Sequence, residues 1–322
     1  MLRTLLALSL AGSLAGATAP PVKKTFTYKT VDGLAIRADV YRPDDAAPHP
    51  VVVWIHGGAL IMGHRGGLPS EQLRRYLEAG FAVVSIDYRL APEVKLPAIL
   101  DDVRDAFRWV RERGPARFHA DAGRIALVGH SAGGYLALTG GYRLRPRPRA
   151  IVSFYGYGDI AGEWYSRPDP HYSKQPPVPR EEAYTAVGGP ARSEVSGPNQ
   201  RGRFYLYLRQ QGLWPKEVTG RDPDREPRAF DPWCPARNVT SDYSPTLLLH
   251  GDQDTDVPFA QSEQIAAELA RHGVPHELIR IPGGGHGFDR NLDNPGVAAT
   301  FDRALEFLRE HLAPPAQPSR RK

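Results

Sequence analysis

Short, continuously apolar segments alternate with segments of helical periodicity along most of the chain. The apolar runs include VVVWI, FAVVSI, RIALVG, AIVSF and TLLLHG, and each has the length and composition of a strand buried on both faces. Between them lie amphipathic segments such as LPAILDDVRDAFRWVRERG, where we expect Gly114 to end the helix. The alternation predicts an α/β fold, with a mostly parallel sheet and helices on both of its faces.

Three local patterns add detail to this prediction. Alternating residues on both sides of Val31-Asp32-Gly33 predict a hairpin with an Asp-Gly turn. A helix is predicted from Ser70 to Glu78, with Ser70 as its N-cap. Between about residues 156 and 242 the rhythm breaks, and only RGRFYLYLRQQGLW has a helical pattern there. This segment is either an irregular insertion or a lid over a site, and its length favours the lid.

The two ends of the chain differ in composition from the rest. Residues 1–19 combine Arg3, a short apolar run and small residues, a pattern that predicts a secretory signal peptide, with a packed N-terminal helix as the alternative. Cleavage after Ala17 is favoured over Ala19 because Pro20 would follow the latter. The run is too short for an integral membrane span. We therefore expect a secreted or periplasmic protein with one main domain, residues 20–312, and a disordered tail, residues 313–322.

Charge and cysteine content exclude several classes of protein. The net charge is +5 and its one dense basic cluster, residues 143–149, is broken by prolines, so we expect no nucleic-acid partner. Cys234 is the only cysteine, which rules out an internal disulfide and a multi-cysteine metal site. No HExxH motif is present, so neither a metal nor a cofactor is expected. Nothing in the sequence indicates an oligomeric state.

The stretch VGHSAGG places Ser131 between two glycines, where a predicted strand gives way to a helix. The spacing G-x-S-x-G is typical of a sharp turn that exposes a nucleophilic serine at a helix N-terminus. A serine at this position could otherwise be an N-cap. As a nucleophile it needs a base and an acid that orients the base, and Ala132 directly after it would offer an amide to an oxyanion.

Candidate partners follow Ser131 on two later loops. The apolar run TLLLHG leads into DQDTDVP, with Asp252, Asp254 and Asp256 as candidate acids, and IRIPGGGHGF ends a predicted strand with His286 as candidate base. The order Ser, Asp, His matches the order expected when all three lie at the carboxyl ends of parallel strands.

Five motifs, HGGAL, DYRLAPE, GHSAGG, HGDQDTDVP and GGGHGF, together resemble those of the α/β-hydrolase superfamily. The resemblance is to its esterase/lipase branch, the hormone-sensitive-lipase-like and feruloyl-esterase-like carboxylesterases. It implies the α/β-hydrolase fold, Ser131 as nucleophile and His286 as base. The D-x-x-V-P pattern of the family selects Asp254 as the acid, which leaves Asp252 and Asp256 as solvated or loop-ordering carboxylates.

The same resemblance extends to the surroundings of the catalytic residues. The His-Gly-Gly-Gly loop of the family matches Gly58 and Ala59, so the oxyanion hole would consist of their amides and that of Ala132. Here an alanine replaces the third glycine, and bulky, branched substrates have less room beside it. We expect His56 and His130 to bond backbone groups. The motif DYR, residues 87–89, is expected to brace the oxyanion loop. The aromatic residues of the insertion either line a substrate pocket or form a small core of their own: Trp164, Tyr165, Tyr172 and Trp214.

These residues predict a serine carboxylesterase that works through an acyl-enzyme intermediate. The resemblance suggests acetyl or feruloyl esters, either small molecules or linked to polysaccharide, as substrates. A serine peptidase or amidase of the prolyl-oligopeptidase-like type is one alternative, because the D-x-x-V-P motif also resembles that group. A catalytically inactive binding module of the same fold is another.

Overall fold

The computed structural model describes residues 21–196 and 201–314. The predicted signal peptide, residues 1–19, lies outside the described residues, as does most of the tail, residues 313–322. Both therefore stay predictions. Within the described part of the chain, no helix has the length and apolar composition needed to cross a bilayer.

One sheet organises the described residues. Its strands are β1 (Val22–Val31), β2 (Leu34–Arg42), β3 (His49–Ile55), β4 (Ala82–Ile86), β5 (Ala120–His130), β6 (Ile151–Phe154), β7 (Thr246–Gly251) and β8 (His276–Ile281). Their order across the sheet is β1-β2-β4-β3-β5-β6-β7-β8. The pairs β1–β2 and β2–β4 are antiparallel. All strands from β3 to β8 run parallel to one another. The predicted mostly parallel sheet is confirmed.

The predicted hairpin joins β1 and β2. Val31 pairs with Leu34, and the two turn residues between them, Asp32 and Gly33, have φ angles of 47° and 80°. Two successive positive φ angles match the twist that paired antiparallel strands require, and Asp-Gly adopts them readily.

Helices cover both faces of the sheet. They are α1 (Ser70–Glu78), α2 (Leu96–Phe118), α3 (Ala132–Arg143), α8 (Ala260–Arg271) and α9 (Pro295–His311). Along β3, Val51 and Val53 belong to the core beneath α2, α3 and α8, whereas Val52 and Trp54 belong to the core beneath α1 and α9. Because successive strand side chains point to opposite faces, a strand buried on both sides appears in the sequence as an unbroken apolar run.

Two predicted helix ends are wrong. Ser70 is the first residue of α1 rather than its N-cap, which is Pro69. Gly114 does not end α2, which continues to Phe118 and ends at His119 in a left-handed conformation. A side chain at Gly114 would lie 2.8 Å from the β-carbon of Ala120, so the glycine allows the helix to approach the start of β5 rather than terminating it.

The segment between β6 and β7 is more helical than predicted. It contains α4 (Glu163–Ser166), α5 (Arg180–Tyr184), α6 (Gly202–Gln211) and α7 (Trp214–Thr219), of which only α6 was expected. The short helices carry too few residues for a visible period, and their stability comes from packing. The ring of Tyr165 stacks between Trp164 and Trp214, each with its centroid 4.0 Å away. Tyr165 and Trp214 are buried in the same core as α2 and α3.

Candidate active site

Ser131 occupies a tight turn between β5 and α3. Its φ and ψ angles are 56° and −120°, a conformation that non-glycine residues seldom adopt. A β-carbon at Gly129 would lie 2.1 Å from the carbonyl oxygen of Gly133, and one at Gly133 would lie 2.0 Å from that of Ile55. The two glycines of G-x-S-x-G are thus required by close backbone contacts. Ser131 does occupy the N-cap position of α3, but its hydroxyl accepts no hydrogen bond from the first amides of the helix and so does not cap it.

The loops after β7 and β8 bring two side chains to Ser131. Nε2 of His286 lies 3.1 Å from Oγ of Ser131, and Nδ1 lies 2.8 Å from Oδ2 of Asp254. The other carboxylate oxygen, Oδ1, accepts hydrogen bonds from the amides of Asp256 and Val257, at 2.8 and 2.9 Å. The three residues expected to act together therefore form one chain of hydrogen-bonding contacts at the carboxyl ends of β5, β7 and β8.

The electrostatics of these contacts favour an ionised Asp254 and raise the pKa of His286. Burial alone would raise the pKa of Asp254, but contacts with His250 and His286 and an amide hydrogen bond hold it well below its usual range. Burial would likewise lower the pKa of His286. The hydrogen bond with Asp254 and the negative charges of Asp256 and Asp254 outweigh this effect and raise that pKa above its ordinary value.

The remaining two aspartates of this loop have different surroundings. Asp252 binds Arg280 and the amide of Gly283, 2.9 and 2.7 Å away, and does not line the cavity beside Ser131. Asp256 is not a solvated carboxylate. Its side chain is 16% exposed, and its Oδ2 lies 3.4 Å from Nε2 of His286. The pattern D-x-D-x-D directly after an apolar strand was the available signal, but the sequence alone did not show which of the outer aspartates faces the site.

The loop after β3 contains Gly58 and Ala59, two of the predicted oxyanion donors. Gly58 and Ala59 have φ angles of 108° and 54°, and within residues 21–196 and 201–314 their amides donate no hydrogen bond. A β-carbon at Gly58 would lie 2.3 Å from the carbonyl oxygen of Met62, so this position requires glycine. Ala132 is the first residue of α3, where an amide has no partner within the helix. Trp214 fixes the loop from the insertion, because its indole Nε1 donates to the carbonyl of Ala59 over 2.8 Å.

The DYR motif braces this loop only in part. The Tyr88 hydroxyl donates to the carbonyl of His56 over 2.9 Å, and the ring of Tyr88 stacks on the imidazole. His56 itself bonds the Gly57 carbonyl, as expected. Arg89 instead forms an ion pair with Asp102 of α2. Its expected role at the oxyanion loop is therefore wrong.

His130 also differs from expectation. Its Nε2 lies 2.9 Å from the carboxylate of Asp289 rather than near a backbone group. Asp289 is 2% exposed and accepts hydrogen bonds from Tyr155 and Gln72. Burial would raise the pKa of Asp289, but the charge and contact of His130 and these donors hold it well below its usual range. Asp289 follows His286 by three residues in the sequence. Its carboxylate thus links the loop of His286 to the serine turn, to the end of β6 and to α1.

A cavity of about 390 Å³ opens onto these groups. Its lining includes Gly58, Ala59, Ser131, Asp256 and His286, and Ala132 is not part of it. The four insertion aromatics are absent from its lining in the described part of the chain, and they do not form a core of their own either, because Tyr165 and Trp214 belong to the core beneath α2 and α3. Among residues 21–196 and 201–314, no three side chains of the metal-binding types are grouped as a metal site would require.

A serine on a strained strand-to-helix turn of a mostly parallel sheet, followed along the chain by aspartate and histidine at the same edge, defines the α/β-hydrolase class. Two family models match this chain. BD-FAE matches residues 38–168, and the prolyl oligopeptidase family matches residues 203–314. The chain has the α/β-hydrolase fold, and the two family matches support the esterase branch of that superfamily.

The curated relatives are much longer proteins. The chain is 31% identical to the non-reducing polyketide synthase Preu6 of Preussia isomera, over 88% of this chain and 14% of that protein. It is 30% identical to the non-reducing polyketide synthase adrD of Penicillium rubens, over 90% of this chain and 14% of that protein. The chain therefore spans about one seventh of the relatives that it matches.

Solved structures share the fold at low sequence identity. An α/β-hydrolase superfamily protein of Enterococcus faecalis is 23% identical, with a TM-score of 0.70 over 90% of this chain and 99% of that one. The esterase Est2 of Thermogutta terrifontis with bound propionate is 23% identical, with a TM-score of 0.65 over 91% and 96%. An acetyl ester-xyloside bifunctional hydrolase of Caldicellulosiruptor lactoaceticus is 21% identical, with a TM-score of 0.67 over 90% and 97%. Together with the family models, these matches support a hydrolase.

Proposed function

We propose that this protein is a serine carboxylesterase in which Ser131, His286 and Asp254 form the catalytic triad. The observation that carries the proposal is the chain of contacts from Oγ of Ser131 through the imidazole to the carboxylate, at 3.1 and 2.8 Å, on the wall of an open cavity. The raised pKa of His286 supports its role as a base, because it increases the affinity of Nε2 for the serine proton.

The reaction proceeds in two halves. Nε2 of His286 takes the hydroxyl proton while Oγ of Ser131 bonds to the ester carbonyl carbon, and the amides of Gly58, Ala59 and Ala132 stabilise the negative carbonyl oxygen. The imidazolium then gives its proton to the alcohol oxygen, whose bond to the acyl carbon breaks. Water repeats the sequence on the acyl-enzyme, releasing the acid and restoring Ser131. Asp254 holds the imidazole with its proton on Nδ1 throughout.

The proposed substrates are acetyl or feruloyl esters, small or linked to polysaccharide. Support for short acyl groups comes from the structural neighbours, one solved with propionate and one named for an acetyl ester. Residues 20–312 would form the hydrolase domain, with residues 156–242 inserted as a lid. The predicted signal peptide would bring the enzyme to the periplasm or the exterior. Fusing residues 1–22 to a reporter protein and measuring its export tests this location.

The decisive experiment compares esters with amides. Purified wild-type protein and Ser131→Ala are assayed on p-nitrophenyl acetate and butyrate and on peptide p-nitroanilides. We expect ester hydrolysis that Ser131→Ala lowers by several orders of magnitude. Ser166→Ala is the matched control, because that hydroxyl bonds the Gly162 carbonyl. Activity confined to the anilides would instead support a peptidase, which the match to the prolyl oligopeptidase family keeps as the second candidate. No difference between wild type and Ser131→Ala would support a binding module.

A further inference from the structure

The two carboxylate oxygens of Asp256 differ, because Oδ1 accepts three hydrogen bonds whereas Oδ2 accepts none from residues 21–196 and 201–314. Oδ1 accepts hydrogen bonds from the hydroxyls of Tyr172 and Tyr205 and from Nη1 of Arg209, the first at 2.9 Å and the last at 2.7 Å. Arg209 is itself buried, with 1% of its side chain exposed, and also pairs with Asp169. Three donors on a single oxygen leave the carboxylate little freedom to rotate, so the direction of Oδ2 is set by the insertion.

That second oxygen faces the reacting atoms. Oδ2 of Asp256 lies 3.4 Å from Nε2 of His286, the nitrogen that also lies 3.1 Å from Oγ of Ser131. Asp254, by contrast, contacts the opposite nitrogen of the ring. Asp256 and Tyr205 line the cavity together with Ser131 and His286. The carboxylate therefore borders the space in which substrate meets the base.

The chemistry of the reaction defines what occupies this space. To receive the proton from Nε2, the departing alcohol oxygen must come within hydrogen-bond reach of that nitrogen. Substituents one or two bonds further along the alcohol then come close to Oδ2 of Asp256. A carboxylate oxygen there accepts a hydrogen bond from a hydroxyl, and such charge-assisted bonds are the stronger ones. An ether at the same place offers no donor and leaves Oδ2 of Asp256 without a hydrogen bond from the substrate.

The other charged groups near the imidazole either have hydrogen-bond partners within the protein or are exposed. Asp254 is bound by Nδ1 of His286 and two amides, and Asp289 by His130, Tyr155 and Gln72. Arg290 is exposed and lowers the pKa of His286.

We propose that Asp256 is a specificity-determining residue, which selects esters whose alcohol carries a hydroxyl on the carbon next to the one bonded to the ester oxygen. The proposal rests on the proposed esterase function. It assigns the alcohol side of the substrate, whereas the acyl side is left to the rest of the cavity.

The test uses two acetate esters that differ in one donor, 2-hydroxyethyl acetate and 2-methoxyethyl acetate. Wild type should show kcat/KM about tenfold or more in favour of the hydroxyl ester, the range of a hydrogen bond to a charged group. In Asp256→Asn the amide oxygen can still serve Tyr172, Tyr205 and Arg209, while an NH₂ replaces Oδ2. The preference should then fall to within about twofold. A change of the base alone affects both esters equally, so the ratio of kcat/KM values isolates recognition of the alcohol.

Two control variants separate recognition from general damage. Tyr172→Phe removes one donor from Oδ1 and leaves Oδ2 in place, so the preference should persist. Asp252→Asn removes a charge from the same loop outside the cavity and should also keep it. Thermal unfolding of each variant checks its fold. If Asp256→Asn does not fold, the wild-type ratio decides, and a value near one overturns the proposal.

The two failures are distinguishable. If wild type cleaves neither acetate nor the nitrophenyl esters, the esterase function itself is wrong. If wild type cleaves both acetates through Ser131 and Asp256→Asn leaves their ratio unchanged, only the role of Asp256 is overturned.

Discussion

Replacing Asp254 with asparagine tests how the imidazole is oriented. Oδ1 of Asp254 accepts the amides of Asp256 and Val257, and the side chain is fully buried. In Asp254→Asn the amide oxygen is expected to take the place of Oδ1, because only an acceptor satisfies those two N–H groups. The NH₂ group then faces Nδ1 of His286 and donates to it. The imidazole must carry its proton on Nε2 and cannot accept the proton of Ser131.

The size of the effect follows from the alternatives open to the asparagine. A fully wrong tautomer costs about 10⁴-fold in kcat, or about 5 kcal/mol. A flip of the asparagine amide would restore the correct tautomer, because its oxygen would then accept the Nδ1 proton of His286. The same flip turns the NH₂ group toward the two backbone amides. Leaving two buried donors unpaired costs roughly 2–6 kcal/mol. At the lower limit, about 1 molecule in 30 retains the productive orientation. We therefore expect kcat to fall by between about 30-fold and 10⁴-fold.

The assay is steady-state hydrolysis of p-nitrophenyl acetate over a pH series, with kcat compared on the alkaline plateau of the wild-type profile. Asp252→Asn is the matched control, because that carboxylate belongs to the same loop but binds Arg280 and the Gly283 amide. It should retain kcat within about twofold, because Asp252 does not line the cavity. If Asp254→Asn keeps more than a tenth of wild-type kcat while remaining folded, the proposed role of Asp254 is refuted.

Three further outcomes are expected. Trp214→Phe removes the indole donor to the Ala59 carbonyl, and it should destabilise the fold by about 1–3 kcal/mol and lower kcat more than it changes KM. Gly133→Ala places a β-carbon 2.0 Å from the Ile55 carbonyl oxygen, and thermal unfolding should show a loss of at least about 1–3 kcal/mol. The pKa of His286 is raised, and only its neutral form accepts a proton. As the pH falls, kcat/KM should therefore decline through a pKa above the ordinary histidine value of about 6.5.

Each of these outcomes has its own control. Trp164→Phe removes an indole that donates to the Asp159 carbonyl in the same aromatic stack, so it should affect stability but leave kcat unchanged. Gly296→Ala adds a β-carbon whose nearest neighbour is 3.4 Å away and should unfold at the wild-type temperature. Equal kcat losses in both tryptophan variants, a stable Gly133→Ala, or an acid midpoint below 6.5 would each contradict the corresponding reasoning.

The fold could be predicted because its determinants are local. Apolar runs such as VVVWI identify strands buried on both faces, and their alternation with helical segments leaves few topologies. Helix ends were less predictable. Glycine is a common helix terminator, but the role of Gly114 is set by its close contact with Ala120 of β5, which the local sequence does not show. The insertion helices escaped notice because α4, α5 and α7 are shorter than two helical turns and are held by tertiary contacts.

The residues around the site likewise fall into two groups, those that the local sequence identifies and those whose role depends on distant elements. Ser131 stands between Gly129 and Gly133, which close backbone contacts require, and His286 precedes Gly287, whose φ angle is 78°. The sequence therefore marks both residues. Asp289 carries no such mark, because its contacts with His130, Tyr155 and Gln72 come from three other elements. A pattern read along the chain does not reveal a partner supplied by a distant element.

Asp254 and Asp256 show why spacing alone could not separate the two roles. Because Oδ1 of Asp254 bonds the amides of residues 256 and 257, the chain turns tightly there, and both carboxylates reach the same imidazole from different sides. Asp254 meets Nδ1, and Asp256 meets Nε2 because Arg209 and two tyrosine hydroxyls of the insertion hold it there. The second role therefore depends on a segment that approaches from outside the sheet. We therefore expect that an insertion with other residues at these positions would leave the proposed triad intact and change which alcohol the enzyme accepts.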